Sequence, residues 1–387
     1  MFPSLNRLFT RPAAPPIGAD FAVERLNLVQ VQEHCAHGVL HTVRAAASVA
    51  YPLPREELLA APRLLRQFVQ SALASAPFSG RRAWCALAPA DVRILPMTVT
   101  LAAGQSEAQA VARAAREQIG TAAADAVVDY YQVRSIDGDS SERQVLVAVA
   151  QKAQVLAHLA MLRGAGLDPV ALDIGPAAIG RLLGAMGRDD LNQSVLLINF
   201  GLQKSFLTVI WGRRLMLDRE IDFGEVQLAG KLAASLGLAP EIARNLMREH
   251  GIGARNGARG AARPAAGAGS ALPDVGRTIR EILHPELRLL AEELLRTQVY
   301  VASRTRGSTL SRVYLNGSLA RYPNIQERLS ELVALPVEVL NPFDAFAMPA
   351  ADGAAPAAFQ TGSQASSEAG KSIALAAGLA LRGAYRG

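Results

Sequence analysis

Three stretches of this chain decide its fold. They read IGADFAVERLNLVQV (Ile17–Val31), VLLINFGLQKSFLTVI (Val195–Ile210) and VYLNGS (Val313–Ser318). Each of the first two has two apolar, strand-like runs on either side of a short turn, which predicts a β-hairpin. The third predicts a strand that ends in a glycine turn, and a helical pattern follows it at Tyr322–Leu332.

Two hairpins and a glycine turn in this order resemble the nucleotide-binding fold of actin. In that fold each hairpin presents backbone N–H groups to nucleotide phosphates, and the glycine turn lets the chain lie close to the adenosine. The resemblance implies an α/β, actin-like (ribonuclease H-like) two-domain ATPase fold.

Further phrases narrow the resemblance. The chain opens with MFPSLNRLF, and a strand, helix, GAGLDP turn and strand fill Val145–Pro176. NPF occurs within Val337–Phe346, and a closing helical phrase, SIALAAGLALRG, fills Ser372–Gly383. In their order and spacing these phrases are similar to the PilM family, the cytoplasmic actin-like proteins of the type IV pilus inner-membrane platform.

The resemblance implies a division of the chain. Residues 1–16 form an amphipathic segment and a spacer. Residues 17–194 form the first domain, with an inserted subdomain of the type called 1C at about 87–167. Residues 195–371 form the second domain, with flexible loops at 251–272 and 350–371. Residues 372–387 form a helix that returns to the first domain.

Local patterns make sharper predictions. Ser106 followed by Glu107 predicts a capped helix over Ser106–Gln118. Pro273–Arg306 is amphipathic and helical, and Pro285 is expected to start a new helix within it. Asp173-Ile174-Gly175 has the letters of a phosphate hairpin, but Pro176 and a helical pattern follow. It is therefore interpreted as a strand end, with Asp173 near the cleft between the domains.

Composition limits the possible functions. At 387 residues the chain can build two cores. It has no apolar run long enough to span a membrane and no secretory leader, so a cytoplasmic location is expected. Cys35 and Cys85 agree with a reducing compartment. Phe2, Leu5, Leu8 and Phe9, at helical spacing, allow peripheral contact with the inner membrane.

The net charge of +6 suggests nucleic acid as a partner, but the distribution argues against it. Only four of the 40 lysine and arginine residues are lysine, and no patch combines basic and aromatic residues. His34, Cys35, His37 and His41 suggest a metal site. They straddle a hairpin tip at Gly38, so their side chains need not converge, and no metal is expected.

The nucleotide site that the fold implies is degenerate in this sequence. Asp20 keeps the acid of the first hairpin, but Glu24 and other bulky residues occupy its tip, and a carboxylate there repels a triphosphate. Asn199 replaces the aspartate of the second hairpin and supplies no charge. Residues that could still contact a nucleotide are Asp20, Asn199, Gly201, Gln203, Lys204, Ser205, Gly317 and Ser318. ATP with magnesium is the implied cofactor, bound weakly or not at all, and no catalytic residue is assigned.

The resemblance implies a scaffold in type IV pilus assembly. Members of the family bind the short cytoplasmic N-terminal tail of PilN, a bitopic inner-membrane protein, in a groove between the core and inserted subdomains. Contacts with other platform components are also implied, and self-association is left open. The candidate groove residues lie where the inserted subdomain leaves the core and are Leu87, Pro89, Val92 and Ile94. The alternatives are an active actin-like ATPase, a sugar-kinase-type enzyme and a cytoplasmic component of GspL-like secretion systems.

Overall fold

A computed structural model describes residues 14–34, 40–102, 104–120, 125–133, 142–186, 193–212, 214–253, 275–305, 307–346 and 373–383. These residues form two compact units. The first unit takes its residues from 1–132, 141–188 and 341–387, and the second from 133–140 and 189–340. The predicted segment Met1–Arg11, Cys35, His37, most of the 251–272 loop and the whole 350–371 loop lie outside the described residues.

The first unit is built on a five-stranded sheet of order β3-β2-β1-β4-β8. Its strands are β1 Ile17–Phe21, β2 Arg25–His34, β3 Leu40–Ala50, β4 Arg82–Ala86 and β8 Asp168–Asp173. β1 and β2 are antiparallel and form the predicted first hairpin, whereas β4 lies parallel to β1 and to β8.

Helices α1 Arg55–Ala60, α2 Pro62–Ala74, α4 Lys152–Gly164 and α5 Gly175–Met186 belong to the same unit. Leu58, Leu65 and Leu162 from three of these helices are fully buried together with Ile17 and Leu28 of the sheet. Strand β8 ends at Asp173 and α5 begins at Gly175, so the prediction of a strand end followed by a helix is confirmed.

A separate three-stranded sheet is inserted between β4 and α4. It consists of β5 Val92–Thr100, β6 Ala126–Gln132 and β7 Glu142–Gln151 in the order β5-β7-β6, with α3 Glu107–Ile119 packed on one face. The predicted serine cap is confirmed. The side chain of Ser106 accepts from the backbone of Gln109, and the side chain of Gln109 accepts from the backbone of Ser106.

The second unit is also built on a five-stranded sheet, of order β11-β10-β9-β12-β13. Its strands are β9 Ser194–Phe200, β10 Ser205–Trp211, β11 Arg214–Ile221, β12 Leu310–Gly317 and β13 Val337–Val339. β9 and β10 form the predicted second hairpin, and β12 lies parallel to β9 on its other side. The glycine turn at the end of β12 therefore lies beside the hairpin turn.

The helices of this unit are α6 Glu225–Leu236, α7 Pro240–His250, α8 Val275–Arg304 and α9 Ile325–Val333. The prediction that Pro285 starts a new helix is wrong, because α8 is one helix of 30 residues with Pro285 inside it. Leu283 and Leu287 on either side of the proline are fully buried in one core, whereas Pro285 is exposed. The carbonyl of residue 281, which loses its helical donor, belongs to a residue that is also exposed.

The last helix, α10 Ala374–Ala380, belongs to the first unit. It packs against β1 and α5 through small residues. A Cβ atom at Gly18 would lie 2.0 Å from the carbonyl oxygen of Ala376, and one at Gly378 would lie 2.1 Å from that of Ala178. The described residues 341–346 also belong to this unit, although the sequence interpretation assigned them to the second domain. No helix within the described ranges is long and apolar enough to cross a membrane.

Candidate functional site

The second hairpin and the glycine turn bring together four of the predicted nucleotide residues, namely Asn199, Gly201, Gly317 and Ser318. Asn316 pairs with Asn199 across adjacent strands, and its Nδ2 donates to Asn199 Oδ1 at 2.9 Å. Gly317 has φ 87° beside Phe200, and a Cβ atom there would lie 2.1 Å from the Phe200 carbonyl oxygen. Gly201 is equally restricted, because its Cβ would lie 2.2 Å from the carbonyl oxygen of Lys204. Both glycines are therefore required by the packing of the backbone.

The two predicted serines serve the scaffold. Ser318 Oγ donates to the carbonyl oxygen of Gly201 at 3.0 Å, and its backbone N–H donates to the carbonyl oxygen of Phe200 at 2.8 Å. These bonds tie the glycine turn to the hairpin. Ser205 is fully buried, and its hydroxyl donates to the carbonyl oxygen of Phe223 at 2.5 Å. Each hydroxyl thus has a protein acceptor in the structure.

Lys204, the predicted phosphate partner, has its charge balanced by neighbouring acids. Its Nζ forms an ion pair with Glu220 and lies 3.9 Å from Oδ1 of Asp222. The hydrogen bond that Lys204 donates to Glu220 raises the pKa of Lys204, so the side chain stays charged. Gln203 lies exposed in the same turn. A phosphate would have to compete with two carboxylates for this ammonium group.

The first hairpin holds Asp20 in a polar network within the sheet. Nδ2 of Asn27, which is fully buried, donates to Asp20 Oδ2 at 3.1 Å, and Asn27 Oδ1 accepts from Ser48 Oγ at 2.7 Å. Desolvation by burial raises the pKa of Asp20 to about 6, against the opposing effects of the Asn27 hydrogen bond and the positive charge of Arg55. Arg55 also donates from Nε to the carbonyl oxygen of Phe21 at 3.1 Å. Sequence reasoning missed this arginine because it lies on a helix outside the hairpin.

The four candidate groove residues lie around the inserted sheet and its connection to β4. On one face of the sheet, Val99 of β5 packs with β7 and α3. Because side chains alternate along a strand, Val92 and Ile94 lie on the opposite face, where their partners on β7 are Ala150 and Ala148. Val92, Ile94 and Ala148 are partly buried and form a partly exposed apolar surface, whereas Ala150 is buried.

The other two candidates precede this sheet. Pro89 is exposed in a short 3-10 turn, Pro89–Asp91, and Leu87 is partly buried. The backbone N–H of Leu87 donates to the carbonyl oxygen of Asp173 at 2.9 Å. Leu87 therefore continues the pairing of β4 with β8 by one residue. The structure therefore places all four residues along one continuous stretch that leads from the core sheet into β5.

Strand β5 is an edge strand that pairs only with β7 among the described strands. A proline is tolerated in an edge strand when its nitrogen faces away from the ladder. Pro96, which lies opposite Leu146 of β7, has no N–H to donate to that strand, so its nitrogen is expected to face the outer edge. Val92 and Ile94, four and two residues earlier, then present their backbone groups to the same outer edge.

A buried ion network links the inserted sheet to the core of the first unit. Arg181 of α5 forms an ion pair with Asp173, and its Nη1 donates to the hydroxyl of Tyr131 on β6 at 2.9 Å. Arg382 lies 3.2 Å from Asp173 Oδ2 and donates to the carbonyl oxygen of Leu172 at 2.6 Å. Asp173 is 7% exposed and held by two arginines. Sequence reasoning had singled out the acid but none of its partners.

Comparison with known proteins assigns the chain to a family. A family model described as type IV pilus assembly protein PilM matches residues 18–256, which is more than half of the chain. This chain belongs to the PilM family. The match covers both predicted hairpins and the inserted sheet, so the resemblance seen in the sequence is confirmed.

Three solved structures are similar to this chain to different degrees. A structure described as a PilM-PilN type IV pilus biogenesis complex matches with a TM-score of 0.71 and 24% identity, over 97% of this chain and 100% of that chain. The ethanolamine utilization protein EutJ from Carboxydothermus hydrogenoformans matches at TM-score 0.47 and 16% identity, over 97% and 93% of the two chains. MreB5 of Spiroplasma citri bound to ADP matches at 0.42 and 13%, over 86% and 93%. The PilM match confirms the predicted actin-like α/β fold with its inserted subdomain.

The described part of this PilM family member contains no cluster of side chains that could bind a metal ion. No group of three or more His, Cys, Asp or Glu side chains among the described residues is placed to hold an ion. Cys85 is buried in the first core. Within each hairpin, Asp20 is bonded by Asn27, and the hydroxyl of Ser205 donates to a backbone carbonyl.

Proposed function

We propose that this PilM family member is a cytoplasmic scaffold of type IV pilus assembly that binds the N-terminal tail of a PilN-like inner-membrane protein. The observation that carries the proposal is the family match, supported by a solved homologue whose complex contains PilN. The protein would associate peripherally with the inner membrane through this partner and through other platform components.

The edge of the inserted sheet supports a mode of binding. An extended tail can add to a sheet edge through backbone hydrogen bonds, while pockets for alternate side chains give specificity. Strand β5 offers such an edge, and Val92 and Ile94 lie on a partly exposed apolar face next to Ala148 and Ala150. We infer that the tail pairs with β5 and packs on these side chains.

Tail binding is tested by calorimetry with a synthetic peptide. The peptide should carry the N-terminal cytoplasmic residues of the PilN-like protein of the same genome, and the full chain should bind it with a Kd in the micromolar range, about −8 kcal/mol. Ile94→Ala should weaken binding roughly tenfold or more, because each buried methylene contributes about 0.8 kcal/mol. If saturating peptide gives no heat of binding and no rise in melting temperature, the proposal is wrong.

A matched valine control separates the groove from the rest of the sheet. Val92 lies on β5, whereas Val127, which is 43% exposed, lies on the same face of the far edge strand β6. Val92→Ala should weaken the binding of the peptide, and Val127→Ala should leave it unchanged. Equal losses in both variants would place the tail elsewhere on this face.

We also propose that the nucleotide site is vestigial. Lys204 is paired with Glu220, the hydroxyls of Ser205 and Ser318 have carbonyl acceptors, and the two glycines are explained by backbone packing. The retained residues therefore need no nucleotide to account for them. This scaffold acts through binding rather than through turnover.

A further inference from the structure

A cluster of cationic side chains lies between α8 and α9 of the second unit, away from the hairpin residues. Arg280, His284 and Arg288 follow one another at intervals of four residues on α8 and therefore share one helical face. Arg328 and Glu331 face them from α9. Neither the proposed tail groove nor the hairpin turns uses any of these residues.

One carboxylate oxygen serves two arginines in this cluster. Glu331 Oε2 accepts from Arg280 Nη2 at 3.0 Å and from Arg328 Nη1 at 3.1 Å. Arg328 Nη2 lies 3.3 Å from Nδ1 of His284. Because a guanidinium group can only donate, Nδ1 must accept, and the proton of a neutral His284 is then on Nε2.

Two donors of the cluster are buried without a partner. Arg328 is 2% exposed, and its Nε has no hydrogen-bond acceptor among the described residues; the same holds for Nη1 of Arg280. A buried N–H of a charged group that is left unpaired destabilises the protein, so an acceptor in addition to the described residues would stabilise both donors. The cluster therefore has two buried N–H groups and no acceptor for either of them among the described residues.

The local charge is positive. Desolvation and the charges of Arg328, Arg288 and Arg280 all lower the pKa of His284, so three arginines act on one imidazole. Glu331 is the carboxylate that Arg280 and Arg328 share. Near neutral pH the cluster therefore carries three positive charges against the one negative charge of that carboxylate.

The adjoining chain cannot supply much negative charge. Gly253 lies directly on Arg280, since a Cβ atom at Gly253 would be 2.5 Å from Arg280 Cβ. The segment 254–274 that follows contains three arginines and one acid, Asp274. Of the four charged residues in this segment, only one could therefore balance the positive charge of the cluster.

We propose that this cluster binds a phosphate group, either inorganic phosphate or the phosphate of a small metabolite. A phosphate dianion matches the excess of two positive charges, and its several oxygens can accept from Arg280 Nη1, Arg328 Nε and His284 Nε2. The site is independent of the vestigial nucleotide elements and of tail binding.

The test measures the thermal stability of the full chain in inorganic phosphate against chloride at matched ionic strength. Phosphate should raise the melting temperature in a saturable way. Arg280→Gln should weaken phosphate binding about fivefold or more, because it removes one charge-assisted donor. Arg277→Ala, which removes an equal charge from the exposed start of α8, is the matched control and should bind normally. No phosphate-specific rise, or an equal loss in Arg277→Ala, would overturn the site.

Glu331→Gln is the most informative variant, because the negative charge of Glu331 opposes the binding of an anion beside the two arginines. This variant should bind phosphate more tightly, by about threefold or more. If its phosphate affinity is unchanged or lower, the cluster is a structural ion network and the proposal fails. Titration with ATP beside inorganic phosphate distinguishes a phosphate ester from the free ion. An acidic peptide that binds more tightly than either would assign the site to a protein ligand and overturn the proposal.

Discussion

The structure gives Asp20 a different role from the one that the sequence suggests. The sequence marks it as the magnesium-ordering acid of the first hairpin. In the structure it is held by the neutral amide of Asn27, and desolvation raises its pKa to about 6. A carboxyl group with this pKa is partly protonated just below neutral pH, which makes it a poor cation ligand there.

Replacement of Asp20 by asparagine should stabilise the protein at pH 7.5. The folded-state pKa is raised above the ordinary value of 3.8, so the stability contributed by the neutral carboxyl is complete below that value and is lost as pH rises through about 6. Asp20→Asn should therefore increase the free energy of unfolding by up to about 3 kcal/mol at pH 7.5. Urea denaturation should show no difference near pH 3.5. A loss of stability at pH 7.5 would contradict this account.

Gly317 and Gly230 make a matched pair for the role of the glycine turn. Gly317 has a positive φ and a carbonyl in the way of any Cβ, whereas a Cβ at Gly230, inside α6, would meet nothing within 4 Å. Gly317→Ala should lower the free energy of unfolding by about 2 kcal/mol or more. Gly230→Ala should raise it by about 0.5–1 kcal/mol. Denaturant titrations check both, and a tolerated Gly317→Ala would show that the turn can relax.

The limits of sequence reasoning are visible at single residues. Asn199, Gly201, Gly317 and Ser318, which pattern and order singled out, lie at the ends of adjacent strands and so come together in the structure. Pattern and order could not predict that Lys204 is paired with Glu220 or that the hydroxyl of Ser205 binds the Phe223 carbonyl. Such partners depend on the strand register and on side-chain packing, which no local pattern encodes.

At the scale of elements, α8 shows how tertiary packing overrides a local signal. Pro285 predicts a break, but buried leucines before and after it hold one helix of 30 residues against a single core. The two hairpins were easier to predict than the continuity of this helix. Each hairpin is encoded by neighbouring residues, whereas the helix is kept continuous by contacts with other elements.

Pro285→Ala should stabilise the second unit. Alanine restores the N–H donor to the carbonyl of residue 281 and removes the clash of the ring with that turn. The greater freedom of the unfolded chain offsets part of this gain. The expected net increase in the free energy of unfolding is about 1–2 kcal/mol, measured by urea denaturation. A decrease would show that α8 needs the bend that a proline induces.

At the scale of the whole molecule, the protein should not turn over ATP. Asn199 lacks the charge that positions magnesium, and Lys204 is already neutralised by acids. Phosphate release with ATP and magnesium should stay at background, with or without the tail peptide. Steady turnover that Asp20→Ala abolishes would demonstrate a working site. Binding of a fluorescent ATP analogue should be measured in Arg280→Gln as well, because the cationic cluster can also bind phosphate.

The contact between β1 and α10 has a consequence for how the chain is made. The glycine of β1 touches the backbone of a helix that follows it by more than 350 residues, and α10 also packs directly on α5. During translation the whole second unit emerges before that helix does. The second unit can therefore be complete while the first unit still lacks α10, the helix that covers part of its core. We therefore expect the usual order, in which the N-terminal part folds first, to be reversed for this protein. A nascent chain stalled after α9 would expose the apolar surface that α10 covers, and quality-control factors in the cell would find it there.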